Sequence, residues 1–544
     1  MKYALISVYD KSDVADFAKK LQGLGYTIIS TGGTAKILQK EKVPVISVEK
    51  ITGNPESFDG RVKTISFQIE SGILYDRKKT KHIKEAADLK IPKIDIVVCN
   101  FYPFDKVVSD KTKIGKAIEN IDVGGPTMMR SAAKNFQSVY AIFDPADYDR
   151  VIQDIKHKTI NSKLRQELAA KTFSYLSWYD SHIAIYLNNL SLLNLQKSKK
   201  NWIPKPSNSA GRQVRDDGRL YPQYFPLNGK KVADLRYGDN PHQKAAWYLR
   251  PFAQSPFTDL RKVSGRDLSV TNLTDINAGI ESVRVFEKPA SAVIKHNTPC
   301  GVAVGNNPKQ SLSLAIEADP VSAFGGVVVM NKPIDLQSAK AVQDFKINKK
   351  SQFDIIAAPG ITDSAQKLLQ SIRKTTGIYV FGKIPNERKP AEQIRWIDGG
   401  YAIQSSSILE DTDMSGWKVV TKKKPNKAQN ELLKTAWKFI SRVKSNCILI
   451  VDAKKSMTRG IGTGQTSRIG AAMIALEQAG DYSKGGIMAS DGFFPFDDTV
   501  KLAAKHGIST IIQPGGSLRD KDSIKAADEA GISMVFIGKR LFWH

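Results

Sequence analysis

The chain has 544 residues, of which 41% are hydrophobic, and this length accommodates two to four domains of about 150 residues. It lacks an apolar run of the roughly 20 residues that a membrane helix needs and a recognisable signal peptide, so we expect a cytoplasmic protein without a membrane partner. The net charge of +27 predicts anionic partners, either nucleic acid or phosphorylated and carboxylated metabolites.

Strand and helix patterns alternate from the N-terminus onward. Tyr3–Val8 predicts a buried strand, Ser12–Leu24 predicts an amphipathic helix, and Tyr26–Ile29 predicts the next strand. A further apolar run, Ile94–Val98, predicts another buried strand. This alternation is typical of an α/β domain in which helices cover both faces of a parallel sheet.

A long helix is predicted over Leu164–Leu190, and a polar, Lys-, Ser- and Pro-containing stretch follows it. We therefore place a domain boundary near residue 197, which divides the chain into residues 1–196 and 197–544. The second part exceeds one typical domain, and we expect two subdomains with a break near residues 375–400, around Asn386–Pro390. No internal repeat is visible in the sequence.

Four segments of the first domain have the composition of phosphate-binding turns: Ser7–Ser12, Ser30–Thr34, Arg61–Thr64 and Asp122–Thr127. Glycines let backbone N–H groups approach an anion, helix N-termini add a favourable dipole, and Lys, Arg and hydroxyl groups complete the site. A single turn of this kind is most often structural. Four in one small α/β domain predict a site for a nucleoside monophosphate.

Residues 1–195 resemble the inosine monophosphate (IMP) cyclohydrolase domain. The resemblance rests on six motifs, Leu5–Val8, Ile29–Thr34, Asp59–Thr64, Asn100–Phe104, Glu119–Pro126 and Ala132–Asn135. It implies a methylglyoxal-synthase-like domain with a doubly wound parallel sheet. It also implies the closure of a formylated aminoimidazole carboxamide ribonucleotide (FAICAR) to IMP with loss of water.

This resemblance implies that Lys63, Tyr102, Asp122 and Lys134 surround the ring-closing chemistry. Lys134 is the first choice for the proton donor or acceptor, and Asp122 would orient the amide. The residues implied to hold the nucleotide are Ser7, Lys11, Ser30, Gly32, Gly33, Thr34, Arg61, Thr64, Asn100, Gly124 and Gly125.

The segment after Thr64 departs from the family pattern. That pattern reads close to Leu-His-Pro-Lys-Ile-His-Gly-Gly, whereas Ile65–Gly72 here reads Ile-Ser-Phe-Gln-Ile-Glu-Ser-Gly. The change leaves open an impaired N-terminal domain that binds nucleotide, or senses a phosphorylated ligand, without turnover. The protein would then be a transformylase only.

In the second domain one histidine stands out. His296 follows the apolar run Ala292–Ile294 and is preceded by Lys295. A histidine titrates near neutral pH, and an adjacent cation can tune it for proton transfer. Taken alone, a histidine in such a turn is more often structural.

Residues 230–544 resemble the aminoimidazole carboxamide ribonucleotide (AICAR) transformylase, whose two subdomains have a cytidine-deaminase-like fold. The matching motifs are Leu235–Gln243, Lys295–Gly301, Asp319–Gly326, Ser445–Asn446, Gly462–Arg468, Ala489–Phe496, Gln513–Ser517 and Arg540–Phe542. The zinc ligands of true deaminases are missing, so no metal is expected. Gly460–Gly464 only imitates a dinucleotide fingerprint, because no convincing strand–helix–strand unit surrounds it.

The resemblance implies that His296 takes a proton from the AICAR amine, while Lys295 and Asn446 stabilise charge at the formyl group. The residues implied to hold the ribonucleotide are Arg236, Tyr237, Gly325, Asp354, Arg468, Phe493, Arg540 and Phe542. Those implied to meet the folate are Ile469, Asp498, Ser517 and Leu518. The formyl donor would be 10-formyltetrahydrofolate, acting as a co-substrate with no tightly bound cofactor.

Together the two resemblances imply a bifunctional enzyme of de novo purine biosynthesis that acts as a homodimer on small-molecule substrates. The alternative suggested by the charge is a basic nucleic-acid-binding protein. The excess lysines are scattered in small groups rather than gathered in an arm, so we expect no nucleic-acid partner. The three cysteines, Cys99, Cys300 and Cys447, are too far apart for a disulfide framework.

Overall fold

The computed structural model describes residues 1–58, 61–108, 112–157, 162–198, 225, 227–250, 252–385, 392–406 and 416–544. The chain forms two compact units, Met1–Lys230 with Arg250–Phe252, and Lys231–Leu249 with Ala253–His544. The long helix predicted before residue 197 continues to Ser198. Most of the polar stretch that follows it, and the break predicted around Asn386–Pro390, lie outside the described residues.

The first unit contains five described strands and ten described helices. The strands are β1 (Lys2–Ile6), β2 (Tyr26–Ser30), β3 (Val45–Ser47), β4 (Ile94–Val98) and β5 (Tyr140–Ile142). The helices are α1 (Val14–Gly23), α2 (Gly32–Lys40), α3 (Val48–Thr52), α4 (Phe67–Leu74), α5 (Thr80–Asp88), α6 (Phe104–Val107), α7 (Ile114–Glu119), α8 (Gly124–Lys134), α9 (Tyr148–Lys156) and α10 (Ser162–Ser198).

The five strands form one parallel sheet in the order β3-β2-β1-β4-β5. Successive side chains of β1 enter opposite cores: Leu5 packs with α4, α8 and α10, whereas Ala4 and Ile6 pack with α1, α2 and α9. The predicted doubly wound sheet is therefore confirmed. Because the chain leaves β1 and β4 toward opposite edges, their carboxyl ends flank the crevice where open α/β sheets bind ligands.

The second unit begins with a two-stranded ribbon, β6 (Lys230–Leu235) and β7 (Ala245–Leu249). Its first sheet region contains β8 (Arg261–Ser264), α11 (Val270–Val283), β9 (Ala290–Lys295), β10 (Thr298–Val304), α12 (Pro308–Ala318), β11 (Val327–Met330), α13 (Leu336–Lys349), β12 (Ile355–Ala358), α14 (Asp363–Ile372) and β13 (Gly377–Val380). A hairpin of β14 (Glu392–Ile397) and β15 (Gly400–Ser405) follows.

The second sheet region contains β16 (Lys418–Val419), α15 (Lys427–Ile440), β17 (Ile448–Val451), β18 (Thr458–Gly462), α16 (Arg468–Ala479), β19 (Ile487–Ser490), α17 (Asp498–Lys505), β20 (Thr510–Gln513), α18 (Asp520–Glu529) and β21 (Ser533–Phe536). We call residues 261–380 the first repeat and residues 418–536 the second repeat, because their elements follow one another in the same order.

The two repeats also share one strand order, β10-β9-β11-β12-β13-β8 in the first and β18-β17-β19-β20-β21-β16 in the second. Each pair of neighbouring strands in the first repeat has the same relative direction, parallel or antiparallel, as the corresponding pair in the second repeat. The expectation of two α/β subdomains is confirmed, and both sheets are mixed. The duplication is a finding of the structure, since the sequence shows no repeat.

The repeats meet edge to edge through β10 and β18. Ala303 pairs with Met457 in an antiparallel bridge, and an adjacent backbone hydrogen bond of 2.8 Å keeps the same register. The two strands run in opposite directions at this bridge, so the start of β10 and the end of β18 lie at the same end of the joint. The β9–β10 turn therefore lies at the same end of the joint as the loop after β18.

Helices α11 and α15 share one apolar core between the repeats, to which Ile280 and Trp437 contribute. The rings of Phe286 and Phe439 lie 5.4 Å apart in this layer. Separate cores fill the space under α12–α14 and under α16–α18. In the described part of the chain, no helix combines the length and apolar character needed to cross a membrane.

Candidate active sites

In the first unit, loops from β1 and β4 meet at the crevice. The side chain of Asn100, just after β4, accepts hydrogen bonds from the backbone N–H groups of Tyr9 and Asp10 over 2.7 and 2.8 Å. Ser7, just after β1, lies 3.0 Å from the hydroxyl of Thr31, which precedes α2. Two of the four predicted phosphate-binding segments, Ser7–Ser12 and Ser30–Thr34, thus meet Asn100 where β1, β2 and β4 end.

Two of the predicted nucleotide ligands use their hydroxyls to build the crevice. The Ser30 hydroxyl is fully buried and donates to the carbonyl of Ile6 over 2.7 Å. The Thr34 hydroxyl accepts from Val8 N–H over 3.1 Å and donates to Val8 O over 3.0 Å. These bonds fix the loop after β1 against the first turn of α2.

Two lysines reach the N-terminus of α2. A Cβ added to Gly32 would lie 4.0 Å from Nζ of Lys63, and one added to Gly33 would lie 3.9 Å from Cε of Lys11. Lys63 also pairs with Glu56 over 2.8 Å. The free N–H groups of a helix start and two ammonium groups together form a site suited to a phosphate.

Asp122 lies at the start of α8, next to the carboxyl end of β4 but on the opposite face of the sheet from α2. Its Oδ1 accepts from Gly125 N–H over 2.9 Å, while its own N–H donates to the Tyr179 hydroxyl over 2.7 Å. Burial raises the pKa of Asp122, and the Gly125 N–H acts in the opposite direction. A Cβ at Gly125 would come within 2.8 Å of Oδ2 of Asp122 and 3.1 Å of Cys99 Sγ, so this close approach requires glycine.

The remaining predicted residues of this site are exposed or lie beside the crevice. Thr64 lies next to the start of α8, because a Cβ at Gly124 would lie 2.8 Å from its hydroxyl. The exposed ring of Tyr102 lies 5.3 Å from that of Tyr9. Arg61 forms an ion pair with Glu119, outside the crevice loops. The motif residues at positions 59 and 60 lie outside the described part of the chain.

The segment that departs from the family pattern folds as helix α4. Ser66, which stands where the pattern has histidine, caps this helix by accepting from Ile69 N–H over 3.2 Å. Glu70, at the second such position, is half-buried and accepts from the Ser131 hydroxyl of α8. Both changed residues make contacts inside the domain.

Lys134 lies apart from the other predicted residues. It ends α8, whereas Gly124 begins it, and ten residues at 1.5 Å each separate the two by about 15 Å. The side chain is exposed and lines a cavity of about 550 Å³ between α8 and α10, together with Ala133, Phe136 and Ala169. The structure does not bring Lys134 together with Lys63 and Asp122.

In the second unit, His296 lies at the tip of the β9–β10 hairpin. Lys295 pairs with Thr298, so His296 and Asn297 form a two-residue loop with φ values of 54° and 61°. Two positive φ angles define a type I′ turn, which matches the twist of paired strands. Histidine and asparagine tolerate this left-handed conformation better than most residues do.

Lys295, Gly325 and Asp354 lie at one edge of the first repeat. Nζ of Lys295 donates to the carbonyl of Phe324 over 3.0 Å, and Asp354 N–H donates to Gly326 O over 3.0 Å. The Asp354 carboxylate pairs with Arg266 over 2.8 Å and with a second arginine over 3.4 Å. Strand β11 is parallel to β12 and antiparallel to β9. The end of β9 therefore meets the starts of β11 and β12 at this edge.

Asn446 belongs to a buried polar cluster of the second repeat. Its Oδ1 accepts from Nη2 of Arg468 over 2.8 Å, and its Nδ2 donates to Gln465 O over 2.9 Å. Nη1 of Arg468 bonds Ser490 over 3.0 Å and pairs with the fully buried Asp491. The arginine predicted to hold nucleotide thus also fixes the amide of Asn446.

Other predicted nucleotide ligands surround this cluster or lie near α11. The Phe542 ring, 41% exposed, lies 4.9 Å from the guanidinium of Arg540 and 6.0 Å from that of Arg468. Phe493 is equally exposed. Arg236 stacks on Tyr237 at 4.6 Å, and its Nη2 donates to the tyrosine hydroxyl over 2.9 Å.

The four predicted folate residues share one edge of the second sheet. Ile469, Asp498 and Ser517 follow β18, β19 and β20, and these strands run in the same direction. Leu518 is fully exposed. Asn446 precedes β17, which runs the opposite way, so it lies at this edge as well.

The β10–β18 joint brings the two edges together. Because β10 and β18 are antiparallel at Ala303 and Met457, the turn that contains Lys295 and His296 lies at the same end of the joint as the loop in which Gln465 holds Asn446. Among the residues that the structure describes, no three His, Cys, Asp or Glu side chains form a group that could hold a metal ion.

Sequence reasoning missed Asp275, which approaches this turn from α11. Its carboxylate accepts from Asn297 N–H over 2.6 Å. The two residues are 22 positions apart, so no local motif connects them. The signal available in the sequence is an acidic residue among the apolar positions Leu273, Ile276 and Ile280 of the segment that forms α11.

Comparisons with known proteins agree over the whole chain. Residues 13–127 match the MGS-like domain, and residues 132–478 match the AICARFT/IMPCHase bienzyme family. The bifunctional purine biosynthesis protein PurH of Thermoanaerobacter sp. (strain X514) is 41% identical over 545 residues, covering 100% of both chains. PurH of Listeria monocytogenes serotype 4b (strain CLIP80459) is 40% identical over 551 residues, again with 100% of both covered.

Among solved structures, the crystal structure of ForH is 31% identical and covers 35% of this chain and 97% of its own, with a TM-score of 0.32. The family match and the full-length relatives identify the chain. They also imply a folate formyl donor and purine intermediates as substrates. The chain belongs to the AICARFT/IMPCHase bienzyme family and is a bifunctional AICAR transformylase and IMP cyclohydrolase of de novo purine biosynthesis.

Proposed function

We propose that formyl transfer takes place where the β9–β10 turn faces Asn446, with 10-formyltetrahydrofolate as the donor and no tightly bound cofactor. The observation that supports this assignment is the antiparallel Ala303–Met457 bridge, because it puts the β9–β10 turn and the loop after β18 at the same end of the β10–β18 joint. His296 takes the proton of the AICAR amine as the amine attacks the formyl carbon. Lys295 and Asn446 stabilise the charge that develops on the formyl oxygen.

The two substrates occupy the two edges that meet at this joint. Gly325 and Asp354 lie at the first edge with Lys295, and the cluster of Arg468 and Phe542 adjoins it, which supports their role in holding AICAR. The folate lies at the carboxyl edge of the second sheet, along the loops that carry Ile469, Asp498, Ser517 and Leu518.

Ring closure takes place in the β1–β4 crevice. The N-terminus of α2, with Lys11 and Lys63, binds the phosphate, while Asp122 and Tyr102 act near the base. Asp122 orients the amide that attacks the formyl carbon. Because Lys134 lies about 15 Å along α8, it takes part only if a second copy of the chain supplies it.

The protein acts as a homodimer in the cytoplasm. Trp396 of the β14–β15 hairpin is 73% exposed and Ile397 is 60% exposed, and this apolar surface supports pairing with a second copy. All three cysteines are free, which supports a reducing compartment.

The experiment that tests this assignment follows tetrahydrofolate and IMP together after the protein is mixed with AICAR and 10-formyltetrahydrofolate. His296→Ala should abolish tetrahydrofolate release while added FAICAR still closes to IMP. Lys63→Ala should retain tetrahydrofolate release and lose the closure. A His296→Ala variant that releases tetrahydrofolate at the wild-type rate would refute the transformylase assignment.

A further inference from the structure

The β9–β10 turn needs support from outside the hairpin. Both loop residues, His296 and Asn297, have positive φ, and neither is glycine. Non-glycine residues hold this conformation only when their surroundings determine it. The His296 side chain is exposed, so the constraint acts through the backbone of the turn.

That support comes from Asp275 on α11. The side chain is only 8% exposed, and its Oδ1 lies 2.6 Å from the N–H of Asn297. The two residues belong to different elements, so this single bond connects the turn with the helix behind it. Asp275 is also close enough to interact electrostatically with His296.

The charge on this carboxylate depends on the turn. Burial raises the pKa of Asp275, whereas the Asn297 N–H and the positive charge of protonated His296 lower it. An ionised Asp275 therefore places a negative charge on the backbone of the turn that carries His296. Formyl transfer creates that imidazolium: the amine nitrogen bonds to the formyl carbon, its proton passes to His296, and the folate nitrogen departs with a proton from Lys295.

We propose that Asp275 is a positioning residue for formyl transfer. It holds the left-handed turn that presents His296 to the amine, and it stabilises the imidazolium that His296 becomes. This inference rests on the proposed role of His296. It assigns Asp275 no contact with AICAR or folate, so its effect falls on the chemical step rather than on substrate binding.

Two substitutions separate the two parts of this role. Asp275→Asn keeps an oxygen that can accept the Asn297 N–H and removes the charge, whereas Asp275→Ala removes both. We expect Asn to lower the transformylase kcat about tenfold or more and Ala to lower it further, with the KM for AICAR within about twofold of wild type.

The matched control is Glu281→Gln on the same helix. Glu281 is 7% exposed and pairs with Arg284 over 2.7 Å and Arg442 over 3.5 Å, away from the turn. This variant should lose thermal stability and keep its transformylase kcat. Closure of FAICAR by the first unit of the same molecules serves as the internal reference and should not change in any of the three variants.

A wild-type kcat in Asp275→Asn together with a wild-type kcat in Asp275→Ala would overturn the proposal. A loss of kcat in Glu281→Gln as large as that in Asp275→Asn would overturn it too, because the effect would then be structural. His296→Ala is measured alongside. If that variant remained fully active, the proposed role of His296 would fail, and the result would be distinguishable from a failure of Asp275 alone.

Discussion

Replacing Arg459 by methionine removes the guanidinium that connects the two repeats of the second unit. Arg459 is 4% exposed; its Nε lies 2.7 Å from Asp452 in the second repeat, and its Nη1 lies 3.0 Å from Glu317 in the first. The group also stacks on the Tyr482 ring at 3.7 Å. Methionine retains most of the apolar stem and loses the charge.

The cost follows from the burial of the pair. Removing one partner of a buried ion pair costs about 3–5 kcal/mol, because the other charge is left uncompensated. Asp452 keeps hydrogen bonds from Lys454 N–H and Lys455 N–H over 2.8 and 2.9 Å, so we expect the lower end, about 3 kcal/mol. The half-exposed Glu317 adds little.

The pH dependence of this loss has a defined sign. Burial alone would raise the pKa of Asp452, but its hydrogen bonds from backbone N–H groups and from Arg459 outweigh burial and lower it. A carboxylate with a lowered folded pKa stabilises the fold above its unfolded pKa of about 3.9 and loses that contribution as the pH falls through the folded value. The deficit of Arg459→Met should therefore be full at neutral pH and shrink in acid.

Calorimetric unfolding of the full chain measures the deficit, with Lys455→Met as the control. Lys455 is 48% exposed and pairs with the same Glu317 over 3.3 Å, so its loss should cost no more than about 1 kcal/mol. Below the unfolding transition we also expect Arg459→Met to lower transformylase activity and spare ring closure, because Arg459 connects the two repeats that carry His296 and Asn446. Equal unfolding midpoints for the two variants would refute this reasoning.

Four further substitutions test other parts of the structure. Asp491→Asn removes the negative charge that pairs with the buried Arg468. Transformylase kcat should therefore fall about tenfold while ring closure stays unchanged. Parallel loss of both activities would point to misfolding instead. Lys63→Ala should slow FAICAR closure about tenfold at subsaturating substrate, because Lys63 helps to bind the phosphate. Lys134→Ala should slow closure only in a dimer, and an equal effect in dilute monomer would contradict its placement. Burial raises the pKa of Glu70, so this carboxyl stabilises the fold while protonated and loses that contribution as the pH rises through its folded pKa. Glu70→Gln should therefore raise the unfolding temperature more at about pH 8 than at about pH 4, and the reverse order in a thermal scan would contradict the sign.

Local patterns in the chain predicted three of the five strands of the first sheet, β1, β2 and β4, but not β3 and β5. The run Tyr3–Val8 became β1, Ser12–Leu24 became α1, and Ile94–Val98 became β4. Side-chain periodicity and helix stop signals act over a few residues, and alternating strands and helices admit few topologies. The glycine- and hydroxyl-rich turns were recognisable for the same reason, since the residues of each turn are neighbours in sequence.

The sequence also marked Lys295–His296 and Asn446 as candidates, through motifs that are each local. It revealed no internal repeat, and only the resemblance implied two subdomains of one fold, because a duplicated fold needs only a common pattern of burial and not common residues. It placed Lys134 with Lys63 and Asp122, whereas α8 separates them along its length. The two motifs Glu119–Pro126 and Ala132–Asn135 lie at opposite ends of α8, a helix that the sequence analysis did not predict.

Only the tertiary structure decided which distant residues meet. Asp275 reaches Asn297 across 22 positions, and the edge pairing of β10 with β18 connects residues more than 150 positions apart. These contacts depend on how two separately formed sheets pack around the shared core of α11 and α15. Propensity and motif act along the chain, while the joint between the repeats that carry His296 and Asn446 arises from hydrogen bonds and burial between elements that no local pattern relates.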